Sequence, residues 1–205
     1  MSNTKYTYAV ARIRALEVSL FSDAFIEQLL ACKSADQVLQ SVIEKGWGDM
    51  DSGGDAEAVL KREEEKAWAV IRDVAPDMSV FDVLSYPKLY HNLKAAVKEV
   101  STGVKNSAMF YDDCSIPGEE MYRIIENREF SRLPGNMSRT AQEALDTLLH
   151  TGDGQLCDII VDRAALDAIE EAGKKSGEPI IENYADTTVA IANIKIAVRS
   201  QKTGK

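Results

Sequence analysis

The feature that most constrains this chain is a near-copy of one stretch within it. Residues 90–100 read YHNLKAAVKEV and residues 191–201 read IANIKIAVRSQ. With Asn92 set on Asn193, Lys94 falls on Lys195, Ala96 on Ala197, Val97 on Val198, Thr102 on Thr203 and Gly103 on Gly204. A register shared across 101 positions (193 minus 92) predicts two related structural copies, each of about a hundred residues. The first is expected at residues 1–106 and the second at residues 107–205.

Copies of one another should share their secondary structure. LKAAVK is rich in strong helix formers. IKIAVR by itself alternates Ile194, Ile196 and Val198 against Lys195, Ala197 and Arg199, which is a strand pattern. The repeat decides for helix. No other stretch competes as a strand, so the predicted class is all-α. Ala9, Ile13, Leu16 and Leu20 share one face of a first helix. Ser34 with Gln37 signs a capping box, opening a helix that stops at Gly46-Trp47-Gly48. A charged helix is expected from Asp55 to Ala75 with a seam of Leu60, Ala67, Ile71 and Val74, and the next from Pro87 to Ser101. In the second half Pro117 fits the first position of a helix carrying Met121, Ile124 and Ile125. After Pro134 come helices built on Ala141, Ala144 and Leu145, and then on Leu156, Ile160, Ala164 and Ala168, with Gly173 and Gly177 marking the second one's end.

Charge and composition argue against several functions. The net charge of −9 lacks the basic stripe that neutralises phosphates, which speaks against a nucleic-acid partner. No apolar run is long enough to span a bilayer, and the N-terminal MSNTKYTYAVARIRALE mixes charges into its apolar pattern, unlike a signal peptide. Cys32, Cys114 and Cys157 have no paired spacing, which fits a reducing cytoplasm better than a disulfide framework.

No catalytic constellation is complete. DMDSGGDAEAVL offers Asp49, Asp51 and Gly54 to a calcium loop, but Gly53 and Leu60 stand where ligands are needed, so a solvated loop is the better reading. Asp112, Asp113 and Cys114 form a cluster, yet neither His91 nor His150 is placed beside a cysteine as a base. Zinc spacing and the phosphate-cradling glycine-lysine-serine core are both absent. The run KREEEK reads as a solvated, ion-paired face. Trp47 and Trp68 read as core or interface anchors. Asn92 and Asn193, recurring on two apolar-faced helices, suggest a repeated bond from helix to backbone.

YTYAVARIRALEVSLFSDAFIEQLL, YHNLKAAVKE, GDGQLCDIIVDRAALD and ANIKIAVRSQKTG together resemble the C-subunit family of V-type and A-type ATP synthases, whose eukaryotic relative is the d-subunit of the vacuolar proton pump. The resemblance covers essentially the whole chain. It implies similar all-helical domains, three around a pseudo-three-fold axis, forming a funnel. This chain stops at Lys205, so two domains are expected and the third is not. It further implies a non-catalytic adaptor, cytoplasmic and peripheral to the membrane. Such an adaptor seats the central stalk on the proteolipid rotor ring, coupling ATP hydrolysis or synthesis to ion transport. No cofactor, metal or catalytic residue is implied. Asn92, Lys94, Asn193, Lys195 and Arg199 match family motif positions and are read as fold-forming. Two alternatives stay open at this point. One is a cytoplasmic helical scaffold unrelated to the rotary machine. The other is a small all-α enzyme using Asp112 and Asp113, or Asp158 and Asp162, as acid and base.

Overall fold

Short capped helices and long packed ones make up most of the described chain. The computed structural model describes residues 6–49 and 54–204. Among those residues there are nine α-helices and no strand, the all-α class expected. The chain divides by packing into two compact units, residues 1–78 and 79–205.

The first unit holds α1 (Thr7–Glu17), α2 (Asp23–Leu30), α3 (Ala35–Glu44) and α4 (Ala56–Val74). Side chains at the N-termini satisfy backbone donors that have no partner within the helix. Ser22 Oγ accepts from Phe25 N, Ser34 Oγ from Gln37 N, and Asp55 from Ala58 N. Gln37 Oε1 in turn accepts from Lys33 N at 3.0 Å, completing a capping box. The core of this unit is thin: Ala9, Phe25 and Val59 are its buried apolar residues among those described. Phe21 supplements it, stacking on Trp47 at 4.5 Å and meeting Phe25 edge-on at 4.7 Å.

The inner face of α4 differs from the expected seam. Leu60 and Ala67 are exposed, and Val59 is buried instead. Glu63 and Lys66 line that face, so part of KREEEK is not a solvated surface. Glu63 Oε1 accepts from Gly48 N at 2.8 Å, and Lys66 Nζ donates to Gly48 O at 2.8 Å. These charges hold the turn carrying Trp47, which is why apolar spacing alone misplaces the face. Of the supposed calcium loop, residues 50–53 lie outside the described residues. Asp49 pairs with Arg62 at 2.6 Å.

The second unit holds α5 (Asp82–Thr102), α6 (Gly118–Glu126), α7 (Met137–Thr151), α8 (Gly154–Ser176) and α9 (Pro179–Thr203). Leu89, Leu93 and Val97 of α5 meet Met121, Ile124 and Ile125 of α6, Met137, Ala141 and Leu145 of α7, and Cys157 and Val161 of α8. Each large apolar side chain buried here contributes about 1.5–3 kcal/mol. α5 starts at Asp82, ahead of the expected Pro87, which lies inside it. In the second turn of a helix a proline removes one backbone bond, and a 3-10 turn at Ser79–Phe81 leads the chain in. Pro117 is the cap of α6 rather than its first residue. Gly173 does not end α8; it is buried against α9, where a Cβ would overlap the Ala185 methyl. Of the expected face of α8, Ile160, Ala164 and Ala168 pack against the core, while Leu156 is exposed and Cys157 and Val161 are the fully buried residues beside them.

The segment IKIAVR is helical, within α9. Moved by the register of the two asparagines, α4 falls on α8 and α5 on α9. The two asparagine helices even end alike. Gly103 and Gly204 are both left-handed, with N–H groups donating to Glu99 O and Ser200 O. Thr102 Oγ1 donates to Lys98 O and Thr203 Oγ1 to Arg199 O. Every partner in these two ends corresponds in register. Packing divides the chain between residues 78 and 79, whereas the repeat register divides it after residue 106. The reason is that α5 is buried by the helices that follow it.

Candidate functional site

Asn92 is the most constrained of the recurring residues. It is fully buried on α5, facing the loop between α5 and α6. Its Nδ2 donates to Tyr111 O at 2.7 Å, while Oδ1 accepts from Tyr111 N at 2.9 Å. One amide thus pairs with both the N–H and the C=O of one residue, as a neighbouring β-strand would. Cys114 Sγ and Ile116 O lie at 3.1 and 3.3 Å from the same Nδ2 and share its second hydrogen. The clamp fixes an irregular segment that has no helix or sheet of its own.

The cysteine in YDDCS lies beside the clamp. Burial pushes the Cys114 thiol up, and Asp113 and Asp112 push the same way, outweighing the bond to Ile116 and the charge of Lys88. A raised thiol is a poor nucleophile, since the thiolate is the reactive form. Cys157, buried in the core, is raised likewise. The histidines are used elsewhere: His91 Nε2 meets Met109 O at 2.8 Å and His150 Nδ1 meets Asp146 O at 2.6 Å. Asp113 pairs with Lys88.

Lys94 and Lys98 continue down α5 and reach α8. Lys94 pairs with Asp162 at 2.5 Å and Lys98 with Asp158 at 2.6 Å. The Asp158 oxygen lies off the line of a hydrogen bond, so charge rather than a directed bond holds that pair. The two aspartates considered as acid and base are therefore the acidic side of an interhelical ladder. Glu99, a buried acid that no motif announces, takes the backbone N–H of Asn106. A glutamate inside an otherwise apolar helix face is its only signal in the sequence.

The second set is placed differently. Asn193, Lys195 and Arg199 are all exposed, and their side chains have no hydrogen bond or ion pair among the described residues. The structure thus brings Asn92 and Lys94 into packed surroundings and leaves their three counterparts at the surface of α9.

A shallow cleft beside α5 is lined by Tyr86, Tyr90, Met137, Arg139, Asp167 and Glu171. Burial, followed by the neighbouring Tyr86, Asp167 and Glu171, pushes the Tyr90 phenol up to about 12. The charges of the cleft are of both signs and do not converge on one point. Among the described residues no group of His, Cys, Asp and Glu is placed to hold a metal ion, and no helix is long and apolar enough to cross a membrane.

A family model for the ATP synthase (C/AC39) subunit matches residues 9–205, which includes every helix of the second unit and nearly all of the first. The chain belongs to this family. No curated protein and no solved structure matches it. The family supplies a component of the V/A-type ATPase complex, so this chain has the role of a rotary ATPase subunit. A scaffold unrelated to the rotary machine is overturned by that membership. The family is a non-catalytic one.

Proposed function

We propose that this C/AC39 chain is an adaptor of the central rotor. It links the central stalk to the membrane proteolipid ring, so that ATP hydrolysis or synthesis is coupled to ion transport. It acts from the cytoplasmic side, held at the membrane through the complex. The observation that carries this reading is the family match over residues 9–205. The repeated build supports it, because helices stacked in one register can carry a load between partners without chemistry of their own. Within that build we assign Asn92 and Lys94 to fold formation. Their counterparts Asn193, Lys195 and Arg199 belong to the same motif in a second copy, with repeat units at 1–106 and 107–205.

The test is reconstitution. Stalk components and the detergent-solubilised proteolipid ring of a V/A-type ATPase are offered separately and together to the immobilised chain. Retention of both, with neither retained by a charge-matched helical control, is the expected result. A chain that ignores stalk and ring alike would remove the adaptor role.

A further inference from the structure

The cleft beside α5 holds polar groups that the protein leaves without partners. Tyr90 is only 5% exposed, and its hydroxyl, which opens into the cleft, has no hydrogen-bond partner among the described residues. A phenol buried so deeply normally has one. Tyr86, edge-on to Tyr90 with ring centroids 6.2 Å apart, lacks one as well. Four charged side chains line the same walls. Lys175 and Glu171 pair with each other at 2.8 Å. Arg139 and Asp167 pair neither with each other nor with any other described residue. The cleft thus keeps one unpaired cation and one unpaired anion.

The start of α7 forms one wall. Gly135, Asn136 and Met137 line it, and Asn136 supplies no side-chain cap. The N–H groups of Ser138 and Arg139 have no acceptor among the described residues. A helix start of this kind favours an anionic oxygen group, and the Arg139 guanidinium adds a charge with two parallel donors. Asp167 comes from α8 and favours a cation. The Tyr90 phenol feels the Asp167 charge, so the hydroxyl lies within reach of that acidic side. A phenol oxygen both donates and accepts, and Tyr90 can therefore serve both ends of one ligand. Met137, Ala164 and Ala168 add apolar surface. The volume is about 190 Å³, below the range of about 300–1,000 Å³ that suits drug-sized ligands. Both complementary charges must then sit on one small molecule.

We propose that this cleft binds a free α-amino acid. The carboxylate takes the start of α7 and Arg139, the ammonium takes Asp167, and the Tyr90 hydroxyl bonds the ligand between them. The ligand's side chain lies against the apolar residues of the walls. A simple anion such as phosphate would leave Asp167 facing it, and a simple cation would face Arg139 and the positive end of a helix. Charges that do not converge on one point suit a ligand that carries both signs. Every residue of the site belongs to the second unit. The proposal stands whether or not the rotor-adaptor reading holds.

The test is isothermal titration calorimetry of the whole chain with each standard L-α-amino acid in turn. At least one should bind saturably. Its amide, which lacks the carboxylate, and the matching acid without the amine should each bind at least about tenfold more weakly, the loss expected when a charged hydrogen bond is removed. Arg139→Gln should weaken binding by about the same factor and erase the preference over the amide. Asp167→Asn should do so for the amine-free acid. Tyr90→Phe keeps the ring and removes the hydroxyl, and should also weaken binding about tenfold. Arg139 and Asp167 are exposed, so their variants should melt with the parent even if Tyr90→Phe does not. No saturable binding of any amino acid overturns the proposal. Equal binding of the amine-free acid or of inorganic phosphate makes this an anion site and overturns it. Binding of phosphoethanolamine without binding of any amino acid assigns the cleft to a lipid headgroup, and overturns it too. Binding unchanged by Arg139→Gln or by Asp167→Asn places the ligand elsewhere, with the same result.

Discussion

Replacing Asn92 with Ala removes a clamp whose partners cannot easily find others. Tyr111 loses its amide's acceptor and its carbonyl's strong donor in one change, leaving that carbonyl only the weak Cys114 thiol at 3.5 Å. A buried polar group left without a partner costs about 1–3 kcal/mol, so two such groups bound the loss at about 2–6 kcal/mol. Tyr111 itself is 43% exposed, and water reaching its peptide unit offsets part of that. The expected loss is therefore about 3 kcal/mol, toward the lower end of the bound. At a urea slope of about 2 kcal/mol per molar, the midpoint should fall by about 1.5 M. Asn193→Ala removes a side chain that is exposed and has no partner among the described residues, so it should stay within about 0.5 kcal/mol of the parent. The assay can tell the units apart. Trp47 and Trp68 both lie in residues 1–78, so indole fluorescence follows that unit while circular dichroism follows the whole chain. The Asn92 variant should shift the dichroism transition, and hydrogen exchange at the Tyr111 amide should accelerate. An Asn92→Ala chain within about 0.5 kcal/mol of the parent, or an Asn193→Ala chain as damaged as it, would refute the reasoning.

Gly173→Ala puts a methyl group onto Ala185 and should cost about 1–3 kcal/mol by overpacking, most of it relieved when Ala185→Gly is added; urea unfolding of the single and double variants checks this. An unchanged single variant would mean that α8 and α9 separate there at no cost. Tyr90 should titrate near its raised value of about 12 by phenolate absorbance, apart from tyrosines titrating near 10. Because its folded value lies above its unfolded one, its contribution to stability is complete below pH about 10 and is lost as pH rises toward 12. A Tyr90→Phe chain should lack that part of the alkaline decline.

Much of this architecture is legible from periodicity and punctuation, because those report the backbone. Ser34 with Gln37 announces a helix start, and the aligned Gly103 and Gly204 prove to end their helices by the same left-handed turn. The repeat register also overrules the strand pattern of IKIAVR correctly, since α9 is continuous through it. What apolar spacing cannot supply is the choice between neighbouring faces when polar groups do the packing. On α4 the face is set by Glu63 and Lys66 holding the turn at Gly48, and no hydrophobic count would select them over Leu60. Gly173 shows the same limit from the other side. A glycine near the end of a helix pattern reads as a stop, and only the neighbouring Ala185 reveals it as a point of close approach.

The recurring residues mark a deeper limit. Asn92 and Asn193 are equivalent in sequence, in helix position and in the geometry of the helix ends that follow them. One is wholly buried and the other exposed. A local pattern encodes what a residue can do, and burial depends on what arrives to cover it. On α5 the cover is α6, α7 and α8, and it converts an asparagine, two lysines and a row of apolar side chains into a loop clamp, an ion-pair ladder and a core. On α9 the corresponding apolar row and cations stand at the surface. The difference between them is therefore one of partners. That is why the two copies can be told apart only in three dimensions.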